Sequence, residues 1–274
     1  PLNVRVSGLM AGDNSLTVLV RDSLDTDIPY GKQSKKRGGM WYTPTSGMRG
    51  MPWVECVPQA YIRDLRIMPT LDTVTIQVLG CETETKTLVY ETETGSESVV
   101  FEDDSVTIHI DQPHHWSPDD PFVYRFTIQC REDAISSYFA LRTISSEQIH
   151  GQAVLCLNGK PHYFHGLLDQ GYFPDGIDLP ASPDGYRHDI EAVKALGFDT
   201  LRKHIRLDDP YFYYYCDLCG ICVFQDFVNN SDYSFLRDTA LPTVGIKRLC
   251  DHRMHRDAKA REQWKALGLN NKEF

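Results

Sequence analysis

The hydrophobic pattern of this chain changes period once, near His150, and that change limits the fold more than any other feature. Before it, apolar residues alternate with polar ones every second position, in runs such as "NSLTVLVRD", "DTVTIQVLG", "KTLVYET", "SVTIHI", "FVYRFTIQC" and "SYFALRTI". These runs are rich in β-branched and aromatic residues, and clusters of Gly, Pro, Asp and Ser separate them, which is the pattern of strands joined by turns. About seven such strands are expected between Tyr61 and Ile144, the size and count of an immunoglobulin-like sandwich. The stretch 82–98, "ETETKTLVYETETGSES", reads as a charged surface hairpin, and "HHW" at 114–116 as a sandwich loop with Trp116 packed beneath it. Ahead of Pro58 lies a shorter β segment with a long irregular loop, too few strands to close a core alone.

After His150 the pattern becomes strand, helix, strand, helix, strand with short links, the signature of parallel βαβ units. "KPHYFHGLLDQGY" runs from strand into loop. "SPDGYRHDIEAVKALG" reads as a helix with Ser182 as N-cap, Pro183 at its first position and Gly197 as its stop. "FDTLRKHIR" then forms a strand, "DPYFYYYCDLCG" a helix and "ICVFQDF" a third strand, with a last helix near 247–267.

The middle strand poses a problem, because Arg202, Lys203, His204 and Arg206 crowd a segment that should be buried, and burying unpaired charge is costly. In a (β/α) barrel, side chains alternate between the interior and the helix layer, and active sites sit at the carboxyl ends of the strands. On that parity Leu201, Lys203 and Ile205 face the helices, while Thr200, Arg202, His204 and Arg206 face the interior. The neighbouring strands end in Asp169-Gln170 and Gln225-Asp226. Polar residues thus converge on one end of three strands, either as a substrate subsite or as a structural ion-pair network.

Composition excludes several functions. A net charge of -10 over 274 residues argues against nucleic-acid or acidic-membrane partners, and the basic stretch 32–39, "KQSKKRGG", reads as a solvated loop. No apolar run is long enough to span a bilayer, and no G-x-G-x-x-G follows a strand as a nucleotide site would require. The eight cysteines do not form a disulfide-scaffold pattern. "CDLCGIC" holds two overlapping C-x-x-C spacings without the second pair or histidines that a zinc site needs, so Cys216, Cys219 and Cys222 read as small buried hydrophobes. His252 and His255 have i, i+3 spacing on a surface helix, and Asn229-Asn230-Ser231 forms a glycosylation sequon. No metal and no cofactor is expected.

Five motifs in order, "SGMRGMPWVECV" (46–57), "WSPDDPFVYRF" (116–126), "LNGKPHYFHG" (157–166), "DIEAVKALGFDTLRKHI" (189–205) and "CDLCGICVFQDF" (216–227), resemble glycoside hydrolase family 2. That family contains the β-galactosidases, β-glucuronidases and β-mannosidases. The wording "GLLDQGYFPDG" and "QDFVNNSDYSFLRDTALPTVG" resembles a bacterial β-galactosidase-like branch. The resemblance implies a multidomain fold: residues 1–57 as the C-terminal part of a jelly-roll sugar-binding domain, 58–148 as an immunoglobulin-like β-sandwich, and 149–274 as the N-terminal part of a (β/α)8 TIM barrel. It implies a retaining exo-glycosidase whose two carboxylates, about 5 Å apart, form and hydrolyse a covalent glycosyl-enzyme. The family's acid/base Glu follows an Asn, and this chain contains no Asn-Glu pair. Past residue 150 it offers half of the roughly 250 residues of a full barrel. The catalytic Glu pair is therefore expected outside this chain, leaving the chain inactive alone.

For substrate binding, the resemblance points to Arg202 and to His204, the histidine after the strand-two arginine, although many members space the pair Arg-x-x-His. It also points to Asp226 at the end of strand three and Asp169 at the end of strand one. The expected partner is a β-glycoside or oligosaccharide, in a bacterial cytoplasm or periplasm. The competing reading is a non-catalytic carbohydrate-binding or interaction module. Three barrel strands would leave open edges, which a partner chain (a homo-oligomer), the helix at 247–267 or local disorder is expected to mask.

Overall fold

The computed structural model describes residues 4–24, 30–35, 38–39, 41–48, 50, 52–82, 84–228, 236 and 240–244. The chain divides into two compact units, one spanning Pro52–Asn229 and one joining Pro1–Met51 to Asn230–Phe274.

In the larger unit, seven antiparallel strands form two sheets. They are β1 (Asp64–Pro69), β2 (Thr73–Leu79), β3 (Lys86–Thr92), β4 (Gly95–Phe101), β5 (Ser105–His109), β6 (Tyr124–Cys130) and β7 (Asp133–Phe139). One sheet has the order β1-β2-β5 and the other β4-β3-β6-β7. Alternation explains the sandwich. Val74, Ile76 and Val78 of β2 and Leu88, Tyr90, Phe126 and Ile128 of β3 and β6 all turn into one core between the sheets. The 82–98 stretch forms the expected hairpin, with Glu91 paired to Ser96 across the turn. Lys86 nevertheless lies fully buried, its ammonium donating to the carbonyl oxygens of Glu84, Glu102 and Asp103 at 3.0–3.4 Å.

The cysteine pattern conceals one bridge, since Cys81 and Cys130 form a disulfide between the ends of β2 and β6. Their separation of 49 residues carries no local spacing signal, so only the pairing of the two sheets reveals it. Cys156, Cys216 and Cys222 are buried free thiols. Burial raises the Cys216 thiol far above its ordinary range and pushes Cys222 up to about 11, which keeps both protonated and inert as expected. Among the described residues no group of His, Cys, Asp and Glu could hold a metal ion.

Strands β8 (Ile144–Ile149), β9 (Gln152–Leu157) and β10 (Lys160–Pro161) make a small antiparallel sheet across the period change. Then follow β11 (Gly166–Asp169), helix α1 (Asp184–Ala195), β12 (Thr200–Lys203), helix α2 (Pro210–Cys219) and β13 (Cys222–Gln225). The three strands are parallel and lie in chain order. Ile190, Leu201, Phe212, Cys216 and Ile221 form the core between sheet and helices. Helix α1 starts one residue later than its sequence suggests: Pro183 takes the cap position with αR backbone, and no side chain caps the helix. Helix α2 has a complete set of end signals. The Asp209 carboxylate accepts from the Tyr211 N–H, Pro210 opens the helix, and Gly220 closes it in the left-handed region at φ 75°.

A dense seam joins sandwich to helices within this unit. The Trp116 indole, fully buried, donates to the Asp217 carbonyl at 2.7 Å, and the Arg142 guanidinium lies 4.3 Å over the indole ring. The Asp217 carboxylate accepts from Arg142 at 2.6 Å and from the Tyr138 hydroxyl at 2.9 Å. Lys194 of α1 donates to the carbonyls of both Pro118 and Gly220. A Cβ on Gly220 would lie 2.2 Å from the Pro118 oxygen, so only glycine admits this approach.

In the smaller unit, the run "NSLTVLVRD" forms no strand, and no strand occurs among its described residues. Leu16, Val18 and Val20 are exposed. Alternation specifies a strand only where a partner supplies the ladder, and none of the described residues does so here. Local contacts among its described residues include the Tyr30 and Trp41 rings 6.2 Å apart, Lys32 placed 5.4 Å over the Tyr42 ring, the Ser46 hydroxyl donating to Asp22, and the short turn α3 (Leu241–Thr243). The helix at 247–267, His252, His255 and the sequon at 229–231 lie outside the described residues.

Candidate functional site at the carboxyl ends of the parallel strands

The register of the three strands decides which side chains share a face. Leu168, Arg202 and Phe224 align across the sheet, as do Asp169, Lys203 and Gln225. In a parallel sheet aligned residues point the same way, so the two rows lie on opposite faces. The face with Leu201 packs against the helices. Leu168, Arg202 and Phe224 are exposed on the other.

The four candidate residues therefore divide. On the open face, the Arg202 guanidinium donates to both oxygens of Asp226 at 3.0 Å, a bidentate pair. Asp226 raises the Arg202 pKa, and both groups remain partly in contact with solvent. Asp169 belongs to the helix side. Its carboxylate accepts from the Lys203 ammonium at 2.7 Å and from the Gly171 N–H at 2.7 Å. His204 follows β12, and its backbone N–H donates to the Asp169 carbonyl at 2.9 Å.

Arg206 does not face the interior as strand parity predicts. The strand ends at Lys203, and Ile205 adopts φ 45°, so the alternation is lost. Arg206 turns instead into a buried network. It donates to Asp208 at 2.8 Å, to the Asp178 carboxylate at 2.9 Å, and to the carbonyls of Gly171 and Asp178 at 2.6 and 2.7 Å. Gly171 sits at φ 61°, and a Cβ there would lie 2.7 Å from the guanidinium carbon.

Asp208 is the centre of this network and was not singled out by sequence reasoning. Its carboxylate is fully buried and paired with both Lys203 and Arg206. Burial opposes its ionisation, but the two cations prevail and hold its pKa below the ordinary carboxylate value. Burial likewise works against the Arg206 charge, yet Asp208 and Asp178 raise its pKa. The Tyr186 hydroxyl donates to Asp208 at 3.1 Å, and burial keeps that phenol protonated. The Tyr213 hydroxyl donates to Gln225, whose amide in turn donates to the Arg206 carbonyl, so loops after all three strands are tied together. The signal that could have exposed the network was Lys203, a lysine with the parity of a core residue, fully buried and 4.2 Å over the Phe212 ring.

The charges of this strand thus divide between two faces of the sheet. Lys203 and Arg206 form a structural network beneath the sheet end, whereas Arg202 and Asp226 are presented on its open side.

Residues 60–142 match the family model described as glycosyl hydrolases family 2. Over 203 residues the chain is 26% identical to a β-galactosidase of Pseudoalteromonas haloplanktis, covering 62% of this chain and 19% of that protein. It is 27% identical over 142 residues to the β-galactosidase large subunit of Leuconostoc lactis, covering 50% of this chain and 21% of that subunit. The chain thus spans about a fifth of the length of these relatives. Among solved structures, a β-glucuronidase of Faecalibacterium prausnitzii superposes with TM-score 0.53 at 26% identity, covering 61% of this chain and 28% of that one. A β-glucuronidase of an uncultured Clostridium sp. gives 0.56 at 20% identity, covering 63% and 30%, a likeness of fold. The sandwich thus resembles glycosyl hydrolases family 2, and both sequence relatives carry the same glycosidase name.

Proposed function

We propose that this chain is part of a retaining exo-glycosidase that hydrolyses terminal β-glycosidic bonds, of β-galactosidase type. The observation that carries the reading is a bidentate Arg202–Asp226 pair on the open face of a parallel sheet, at the carboxyl ends of its strands. That is the edge where a (β/α)8 barrel holds its substrate. On this reading β11, α1, β12, α2 and β13 begin the barrel, β1–β7 form the immunoglobulin-like domain, and residues 1–57 contribute to a jelly-roll sugar-binding domain.

Arg202, His204 and Asp226 bind sugar hydroxyls at the open face, and Asp169 orients the loop after β11 by accepting from the Gly171 N–H. Hydrolysis with retention needs one ionised and one protonated carboxyl group about 5 Å apart. The Asp169 and Asp226 carboxylates are each engaged in an ion pair, with Lys203 and Arg202 respectively. Because these 274 residues hold no Asn-Glu pair, the reading takes the chain alone as inert and the acid/base and nucleophile as lying outside it.

Both sequence relatives are named β-galactosidases, which favours galactosides over glucuronides. The test is nitrophenol release by the protein at the length of those relatives. Turnover of 4-nitrophenyl β-D-galactopyranoside well above that of the β-D-glucuronide supports the reading. Glucuronide turnover alone reassigns the sugar, and no turnover of any β-glycoside rejects it.

A further inference from the structure

The loop 110–122 carries a histidine whose two ring nitrogens both face carboxylates. His114 Nε2 lies 2.6 Å from Asp120 Oδ2, and Nδ1 contacts Glu93 Oε1 in the turn between β3 and β4. A neutral imidazole can donate through one nitrogen only, so satisfying both contacts requires the imidazolium. The ring stacks on Phe122 at 4.2 Å with its plane 4° away, and the backbone N–H of His114 donates to the Tyr124 hydroxyl of β6 at 2.7 Å. Glu93, Asp120 and the Tyr124 hydroxyl are the titratable groups facing it from the hairpin turn, its own loop and β6.

The next residues of the same loop hold the seam. His115 contacts the Leu71 carbonyl, Trp116 reaches Asp217 of α2, and the Pro118 carbonyl accepts from Lys194 against Gly220. Whatever fixes residues 113–120 therefore also fixes how the sandwich grips the carboxyl end of α2.

We propose that His114 is a proton-operated latch: its imidazolium clamps the loop to Glu93 and Asp120, and loss of one proton loosens the loop and, with it, the seam to α2. On deprotonation one nitrogen presents its lone pair to a carboxylate, so an attraction becomes a repulsion, and the ring releases one partner. The Asp120 and Glu93 contacts raise the His114 pKa above 6.5, outweighing a burial effect of opposite sign. A raised folded-state value means the clamp is fully present below pH 6.5 and is lost as pH climbs through the folded value.

Two readings on the whole 274-residue chain test this. Imidazole NMR, with the His114 signals identified from their loss in His114→Gln, gives its titration midpoint. Hydrogen exchange, corrected for intrinsic pH dependence, follows peptides covering 113–120 and 216–222. The latch predicts a midpoint above 6.5 and a fall in protection of both segments on the order of tenfold per unit of pKa elevation, with β2 and β6 unchanged. His114→Gln should show the low protection at every pH, and Glu93→Gln an intermediate level if the first variant does not fold. A midpoint at or below 6.5, or protection of 216–222 that ignores the protonation of His114, overturns the proposal.

Discussion

Lys203 shows how a single residue separates two roles in one strand. It lies fully buried between Asp169 and Asp208 and over Phe212, so its charge is structural. Removing it leaves the buried Asp208 with one cation instead of two. Lys203→Met is expected to destabilise the chain by about 3–5 kcal/mol, the usual cost of breaking a buried pair from one side. Urea denaturation measures it, and a loss below about 1 kcal/mol would mean that Asp208 is satisfied without the ammonium. Gly220 gives a second prediction at this scale. Alanine there must hold φ 75° and clear the Pro118 oxygen at 2.2 Å, so Gly220→Ala should cost more than about 1 kcal/mol in the same assay. The sequence showed that charges converge at the strand ends and that Arg202 and Asp226 belong to adjacent strands. It did not show the Lys203–Asp208–Arg206 network, because the left-handed Ile205 breaks the parity on which the reading of Arg206 rested. Partners such as Asp178 also stand 28 residues from Arg206 in the chain.

Among the elements, those with complete local signals were the most legible. The expected number of strands between Tyr61 and Ile144 matches β1–β7, and β2, β3, β5 and β6 follow from period-two alternation, whereas β4 lacks it and the run "SYFALRTI" is a strand only as far as Phe139; α2 follows from Asp209, Pro210 and Gly220. Replacing the Asp209 cap tests whether that local grammar contributes energy: Asp209→Ala should lower stability by about 1 kcal/mol. A value indistinguishable from wild type would place all of the stability of α2 in its packing. Two elements could not be read. The Cys81–Cys130 bridge joins strands that become neighbours only when the sheets stack. The run "NSLTVLVRD" has the pattern of a strand, yet a strand exists only with a partner to complete its hydrogen bonds, and its own alternation cannot supply one.

At the scale of the larger unit, Pro52–Asn229, a sandwich grips a three-stranded parallel α/β layer through Trp116, Arg142 and Asp217. Strands β11 and β13 are the edges of the three-stranded parallel sheet, and Leu168 and Phe224 lie exposed on its open face. Further barrel strands are proposed to cover these edges in a longer protein. The 274-residue chain by itself should then self-associate, and light scattering that finds a monodisperse monomer at high concentration would argue against an incomplete barrel. The proposed function places a β-glycoside at the open carboxyl ends of β11–β13. The most direct measurement is kcat/KM on 4-nitrophenyl β-D-galactopyranoside for the protein at the length of its β-galactosidase relatives, wild type against Arg202→Met. Losing a charge-assisted contact to the bound sugar predicts a fall of roughly tenfold or more in kcat/KM with the melting temperature preserved. An Arg202→Met enzyme with wild-type kcat/KM would contradict the placement of the substrate on this face.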